Sequence, residues 1–197
     1  MIKTLALAAA MATAVAALSG CTSMGMGADD PYPPNAFRLY SPTMADNAIM
    51  ARKHAGDAKD NASCIGQNVS VPLAWKNASP KTRSFALLMD DQAGQGGLGV
   101  SHWVAYGIPA NVTSFDEGET TGASPKYVGG TSTRKMATYF GPCTPKGNAP
   151  QHYVFTMIAT DLEPKALQAG LTRPQLLDAL RGHTVGAASL VLRFVNP

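Results

Sequence analysis

The chain has 197 residues, a formal net charge of +3, 45% hydrophobic residues and 15% charged residues. That length suits one domain with an appendage, and this balance excludes a globally disordered chain. The basic residues are scattered (Lys81 and Arg83, Arg134 and Lys135, Arg173, Arg181) with no interleaved aromatics, which argues against a nucleic-acid partner.

Met1-Ile2-Lys3 is a short positive start, and Thr4 to Leu18 is apolar and rich in small residues. Residues 1–20 therefore read as a secretory signal, shorter than the roughly 20 apolar residues that a spanning helix needs. Leu18-Ser19-Gly20-Cys21 resembles the bacterial lipobox. That resemblance implies cleavage before Cys21 and lipid attachment there, with two or more acyl chains giving a stable membrane anchor. The plainer alternative is an ordinary cleaved signal beside an incidental cysteine. Thr22, in place of Asp, implies an outer-membrane lipoprotein facing the periplasm or the surface. Residues 21–36, rich in Gly and Pro, read as a flexible tether, and 37–197 as the folded domain.

Within that domain, short apolar runs are punctuated by Gly, Pro, Asn and Ser. Strands are expected at Phe37–Tyr40, Val69–Trp75, Ser84–Asp90, His102–Ile108, Tyr153–Thr160 and Ala188–Val195. In the last, Leu190, Leu192 and Phe194 alternate with Val191, Arg193 and Val195. Helices are expected only in the closing third. Pro164–Ala169 is one short candidate. The second has Thr172 as N-cap, Gln175 three residues later, then Leu176, Leu177 and Leu180, and Gly182 as a stop. Strands first and helices late suggest α+β, or a mainly β sandwich with peripheral helices.

Two cysteines remain after Cys21, at Cys64 and Cys143. In an exported protein a disulfide would persist and stabilise by about 4 kcal/mol, while two separate buried thiols remain the alternative.

Several segments together resemble the phosphatidylethanolamine-binding protein (PEBP) family, in its bacterial Raf-kinase-inhibitor-like branch. Cys64 to Trp75 looks like that branch's "C-x-G-x-N-x-S-P-x-L-x-W" entry. Ser84-Phe85-Ala86 through His102-Trp103-Val104 resembles "S-F-A … D-P-D-A-P … H-W-V", with Ile108-Pro109 after it. Gly141-Pro142-Cys143-Thr144-Pro145-Lys146-Gly147 resembles "G-P-C-P-P-x-G", Tyr153-Val154-Phe155 the "H-R-Y-V-F" strand, and Gly182-His183 the "G-H" ending. The resemblance implies a PEBP-like antiparallel β-sandwich with Greek-key connections and short helices near the C-terminus. It also implies a small pocket for phosphate or a phospholipid headgroup, with no catalysis and no cofactor.

In the family register Asp91 takes the first Asp position and His102, eleven residues on, the histidine. Ala93 then replaces the second Asp, and Gln151-His152-Tyr153 stands for "H-R-Y". Gln151 and Tyr153 share strand parity and are expected to face the pocket, with His152 facing away. The expected ligand-binding set is Asp91, His102, Gly141, Pro142, Gln151 and Tyr153. Backbone amides near Gly141, the His102 ring, the Tyr153 hydroxyl and the Gln151 amide are the expected donors. Asp91 is expected to accept from His102 or a loop amide, keeping the histidine protonated longer.

Two other readings compete. A protein-interaction module would inhibit an envelope or host protease or kinase, as eukaryotic relatives do, with no residue here selecting the partner. A metal-dependent hydrolase on Asp90, Asp91 and His102 is disfavoured, because adjacent strand carboxylates point to opposite faces and no H-x-E or H-x-x-x-H spacing occurs. A Cys143 nucleophile beside His102 would need a free thiol.

Overall fold

The structure is a computed structural model and describes residues 33–197. The signal segment, Cys21 and most of the tether lie outside the described residues. The elements in chain order are β1 (Arg38–Tyr40), β2 (Leu73–Lys76), β3 (Ser84–Asp91), a one-turn α1 (Gly94–Gly97), β4 (Val100–Pro109), β5 (Ser114–Phe115), β6 (Val128–Gly129), β7 (Gln151–Thr160), α2 (Arg173–Ala179) and β8 (Thr184–Phe194). A 3-10 turn occupies Arg52–His54. The strands form a three-stranded sheet, β1-β2-β5, and a five-stranded sheet, β6-β4-β3-β7-β8, with every ladder antiparallel.

Strand parity explains the layering. On β3, Phe85, Leu87 and Met89 point toward the small sheet, where they join Leu39, Leu73, Trp75 and Phe115 in the main core. Ala86 and Leu88 point the other way and pack with Val104, Tyr106, Ile158 and the α2 residues Leu176 and Leu180. β3 is therefore buried along its whole length. The alternation expected for β8 is present: Leu190, Leu192 and Phe194 are buried, with partly exposed residues between them. The mainly β antiparallel sandwich with few helices stands as expected.

Several local expectations are corrected. The strand expected from Val69 begins only at Leu73. Asn68 has a φ of 55°, which breaks an extended run, and Ser70 bonds through its amide to Thr121 Oγ1 at 2.9 Å. Pro164–Ala169 forms turns, not a helix, with one bond from the Ala166 amide to Glu163 O (3.0 Å). Six residues stopped by Gly170 cannot repay helix nucleation. α2 starts where expected: the Thr172 amide donates to Gln175 Oε1 at 2.9 Å, and Gly182, at φ 81°, lies beyond its end. β5, β6 and α1 carry no periodic signal in the sequence.

Candidate functional site

At one end of the five-stranded sheet, where β3 finishes and β4 and β7 begin, a cleft of about 690 Å³ opens. Asp91, His102, Gln151 and Tyr153 all line it. Register brings two of them together, because Asp91 pairs directly with Tyr153 across β3 and β7. His102 arrives by a different device. Met89 pairs with Trp103 but Asp90 with Ser101, so His102 is an extra residue in β4, a β-bulge. Without that bulge, parity would send His102 to the same side as Val104, under α2. The bulge turns it to the cleft. Its ring meets Tyr153 edge-on, centroids 5.1 Å apart.

The hydrogen bonds fix each group's role. His102 Nδ1 lies 2.9 Å from Phe140 O. A carbonyl can only accept, so Nδ1 carries the proton and in the neutral ring Nε2 is an acceptor. Burial pushes the His102 pKa down to about 4, against the backbone carbonyls of Phe140 and Gly141 that favour the cation, while Arg134 opposes the cation further. The expectation of a protonated histidine held by Asp91 is thus corrected. Asp91 is 3% exposed, and its Oδ1 accepts the amides of Ala93 (2.9 Å) and Gly94 (3.1 Å), the loop-amide alternative. Burial raises its pKa, and those two amides offset this only in part. The Tyr153 hydroxyl meets Thr144 Oγ1 at 2.9 Å and donates to Gln151 Oε1 at 3.3 Å. Its pKa is raised, with burial the main cause.

Gly141 and Pro142 are not on the lining. Both are buried behind the wall. The Gly141 amide already donates to Asn68 Oδ1 at 2.8 Å, and Pro142 O accepts from Gly56. Gly141 is required by close approach, since a Cβ there would sit 1.9 Å from His54 O. The Gly141 amide is therefore consumed in building the wall, and Pro142 has no amide proton to offer. Cys143 does reach the lining, and a disulfide joins it to Cys64, S–S 2.08 Å. No thiol remains there to act as a nucleophile. His152 is exposed and outside the lining, and Asp90 points to the other face, where it meets Arg173 at 2.8 Å.

The cleft also carries two cations outside the expected ligand-binding set. Arg134 and Lys135 both line it. The Arg134 guanidinium carbon sits 4.6 Å from the Phe140 ring centroid, and Nη2 lies 3.4 Å from Asp60 Oδ1. Their adjacency just ahead of the Gly141-Pro142-Cys143 segment was the available signal. No cluster of three or more His, Cys, Asp or Glu side chains suited to a metal occurs among the described residues.

Comparison with known proteins agrees with this architecture. A "Putative lipoprotein LppC" of Mycobacterium tuberculosis, as it is named, is 34% identical over 200 residues, covering 95% of this chain and 94% of that one. A crystal structure of a phosphatidylethanolamine-binding protein homologue from Chlamydia trachomatis superposes with a TM-score of 0.70 at 25% identity, covering 83% of this chain and 99% of that one. Escherichia coli YbcL, described as a new member of the mammalian PEBP family, gives a TM-score of 0.72 at 24% identity, covering 82% and 99%. The family model for phosphatidylethanolamine-binding protein matches residues 40–195. With that match running from β1 through β8, this chain belongs to the phosphatidylethanolamine-binding protein family.

Proposed function

We propose that this protein is a lipid-anchored binding protein of the cell envelope, whose cleft takes phosphate or a phosphate-bearing lipid headgroup without transforming it. The observation that carries the reading is the pairing of two cations, Arg134 and Lys135, with the buried neutral groups His102 and Tyr153, beside a single carboxylate, Asp91, among the described lining residues. A guanidinium held by an aromatic face and a carboxylate is pre-oriented for a phosphate's oxygens. Neutral His102 suits a protonated phosphate oxygen, which donates to Nε2. A bound dianion, by contrast, raises the histidine's pKa and recruits a proton to it. The non-catalytic reading is supported by what is missing from the lining: Asp90 faces away and Cys143 is oxidised. A lipid anchor at Cys21 and an outer-membrane location, periplasmic or surface-facing, follow from the leader's pattern, and the relative named as a lipoprotein supports the anchor.

Phosphate titration of the purified full chain in detergent, read by calorimetry and by NMR of the His102 ring, tests this. Saturable binding, a rise in the His102 pKa on binding, and about tenfold weaker binding in Arg134→Ala are expected. An absence of saturable binding at pH 5 and pH 7 sinks the reading.

A further inference from the structure

Beside the two cations, the cleft carries four carboxamides. Asn61, Gln95, Asn148 and Gln151 all border it. Two of their oxygens are engaged: Asn61 Oδ1 accepts the Ser63 amide at 2.9 Å, and Gln151 Oε1 accepts the Tyr153 hydroxyl at 3.3 Å. Their NH2 groups, and the whole carboxamides of Gln95 and Asn148, have no protein partner among the described residues. A carboxamide offers donors and an acceptor together, as a hydroxyl does, so the two are natural partners.

A ligand with an ammonium group is poorly served here. Among the described residues Asp91 is the only carboxylate on the lining, and its Oδ1 already accepts two backbone amides. Arg134 and Lys135 repel a cation at the mouth. The cleft, about 690 Å³, is also far larger than a phosphate ion requires.

We propose that the cleft selects a phosphorylated polyol, a phosphate ester whose body carries several free hydroxyls, with its phosphate on Arg134 and its hydroxyls on Asn61, Gln95, Asn148 and Gln151. This rests on the phosphate reading above. A glycolipid-type headgroup and a free sugar phosphate share this chemistry.

Calorimetry on the full chain in detergent compares inorganic phosphate, phosphoethanolamine, myo-inositol 1-phosphate and water-soluble dibutanoyl phosphatidylinositol. Myo-inositol 1-phosphate is expected to bind about tenfold tighter than inorganic phosphate, the effect of one or two added hydrogen bonds. Phosphoethanolamine gains nothing over inorganic phosphate. The double variant Gln95→Ala, Asn148→Ala alters two exposed side chains. It removes most of the polyol advantage and leaves inorganic phosphate affinity unchanged. Tighter binding of the dibutanoyl lipid assigns the ligand to a membrane source; equal or weaker binding assigns it to the free ester. Equal affinity for the three soluble phosphates, or a preference for phosphoethanolamine, overturns the polyol proposal while leaving the phosphate reading intact. No saturable binding of any of them overturns both.

Discussion

Asp90 and Asp91 are consecutive on β3, yet they enter opposite sides of one sheet. Asp90 faces back, toward α2, where Arg173 meets it at 2.8 Å beside the buried leucines 176 and 180. Asp91 faces the front end, with two backbone amides on Oδ1 and no ion pair among the described residues. The back face is completed by an apolar cap and a paired charge. The front end is assembled from strand ends and loops, and it leaves carboxamide donors without protein partners among the described residues. Unpartnered polar groups are costly when dry, so they persist where solvent or a ligand completes them. The difference separates a carboxylate that holds the fold from one that shapes the cleft.

The sharpest way to break this contrast is to remove the front end's covalent pin. Cys64 and Cys143 are 79 residues apart in sequence, and closing such a loop contributes about 4 kcal/mol in the chain-entropy model. The double variant Cys64→Ser, Cys143→Ser is expected to lose about that much stability in urea unfolding. Phosphate affinity should fall with it, because Cys143 borders the cleft and Phe140 orients His102. A loss under about 1 kcal/mol would mean that ordinary hydrogen bonds, such as Asn68 to Gly141 and Tyr139, hold the wall alone.

Acid should also act on the front end. His102 has a folded pKa near 4 against an ordinary 6.5, so the native state binds fewer protons than the unfolded state between those values. Its contribution is complete above pH 6.5 and is lost as pH falls toward 4, amounting to about 3 kcal/mol. His54, also lowered by burial, adds in the same direction. Asp91, raised, acts with the opposite sign, since its cost grows as pH rises through the carboxylate range. Urea unfolding at pH 7.5 and 4.5 reads the difference, and His102→Gln should flatten it. A wild-type profile as flat as the variant's would show that His102 is not desolvated.

Much of this was legible in the sequence, and the reasons for the gaps are specific. The order of motifs gave the family, and period-2 alternation gave β8 and the shared parity of Gln151 and Tyr153. The His102 bulge was invisible, because a bulge depends on which residues pair across strands and not on one strand's pattern. The state of His102 followed from burial and from Phe140 O, which lies 38 residues away in sequence. The engagement of the Gly141 amide is hidden for a related reason: Asn68, which accepts it, lies 73 residues distant. Arg134 reads as one more surface cation until its place over the Phe140 ring is known.

The smallest expected effect is the most discriminating. Asp90→Asn weakens a half-open pair, Arg173 being 39% exposed at its side chain, so the loss should be about 1 kcal/mol or less, with phosphate affinity unchanged. Asp91→Asn keeps an oxygen for the Ala93 and Gly94 amides while removing a buried charge that lacks an ion pair. Stability at pH 7 should hold or rise by up to about 1 kcal/mol, since a desolvated charge is exchanged for a neutral amide. Phosphate should bind more tightly, because a negative charge on the lining is gone. Were Asp91→Asn the more destabilising of the two, with phosphate affinity unmoved, both carboxylates would be structural. The cleft's selectivity would then rest on Arg134 and the carboxamides alone.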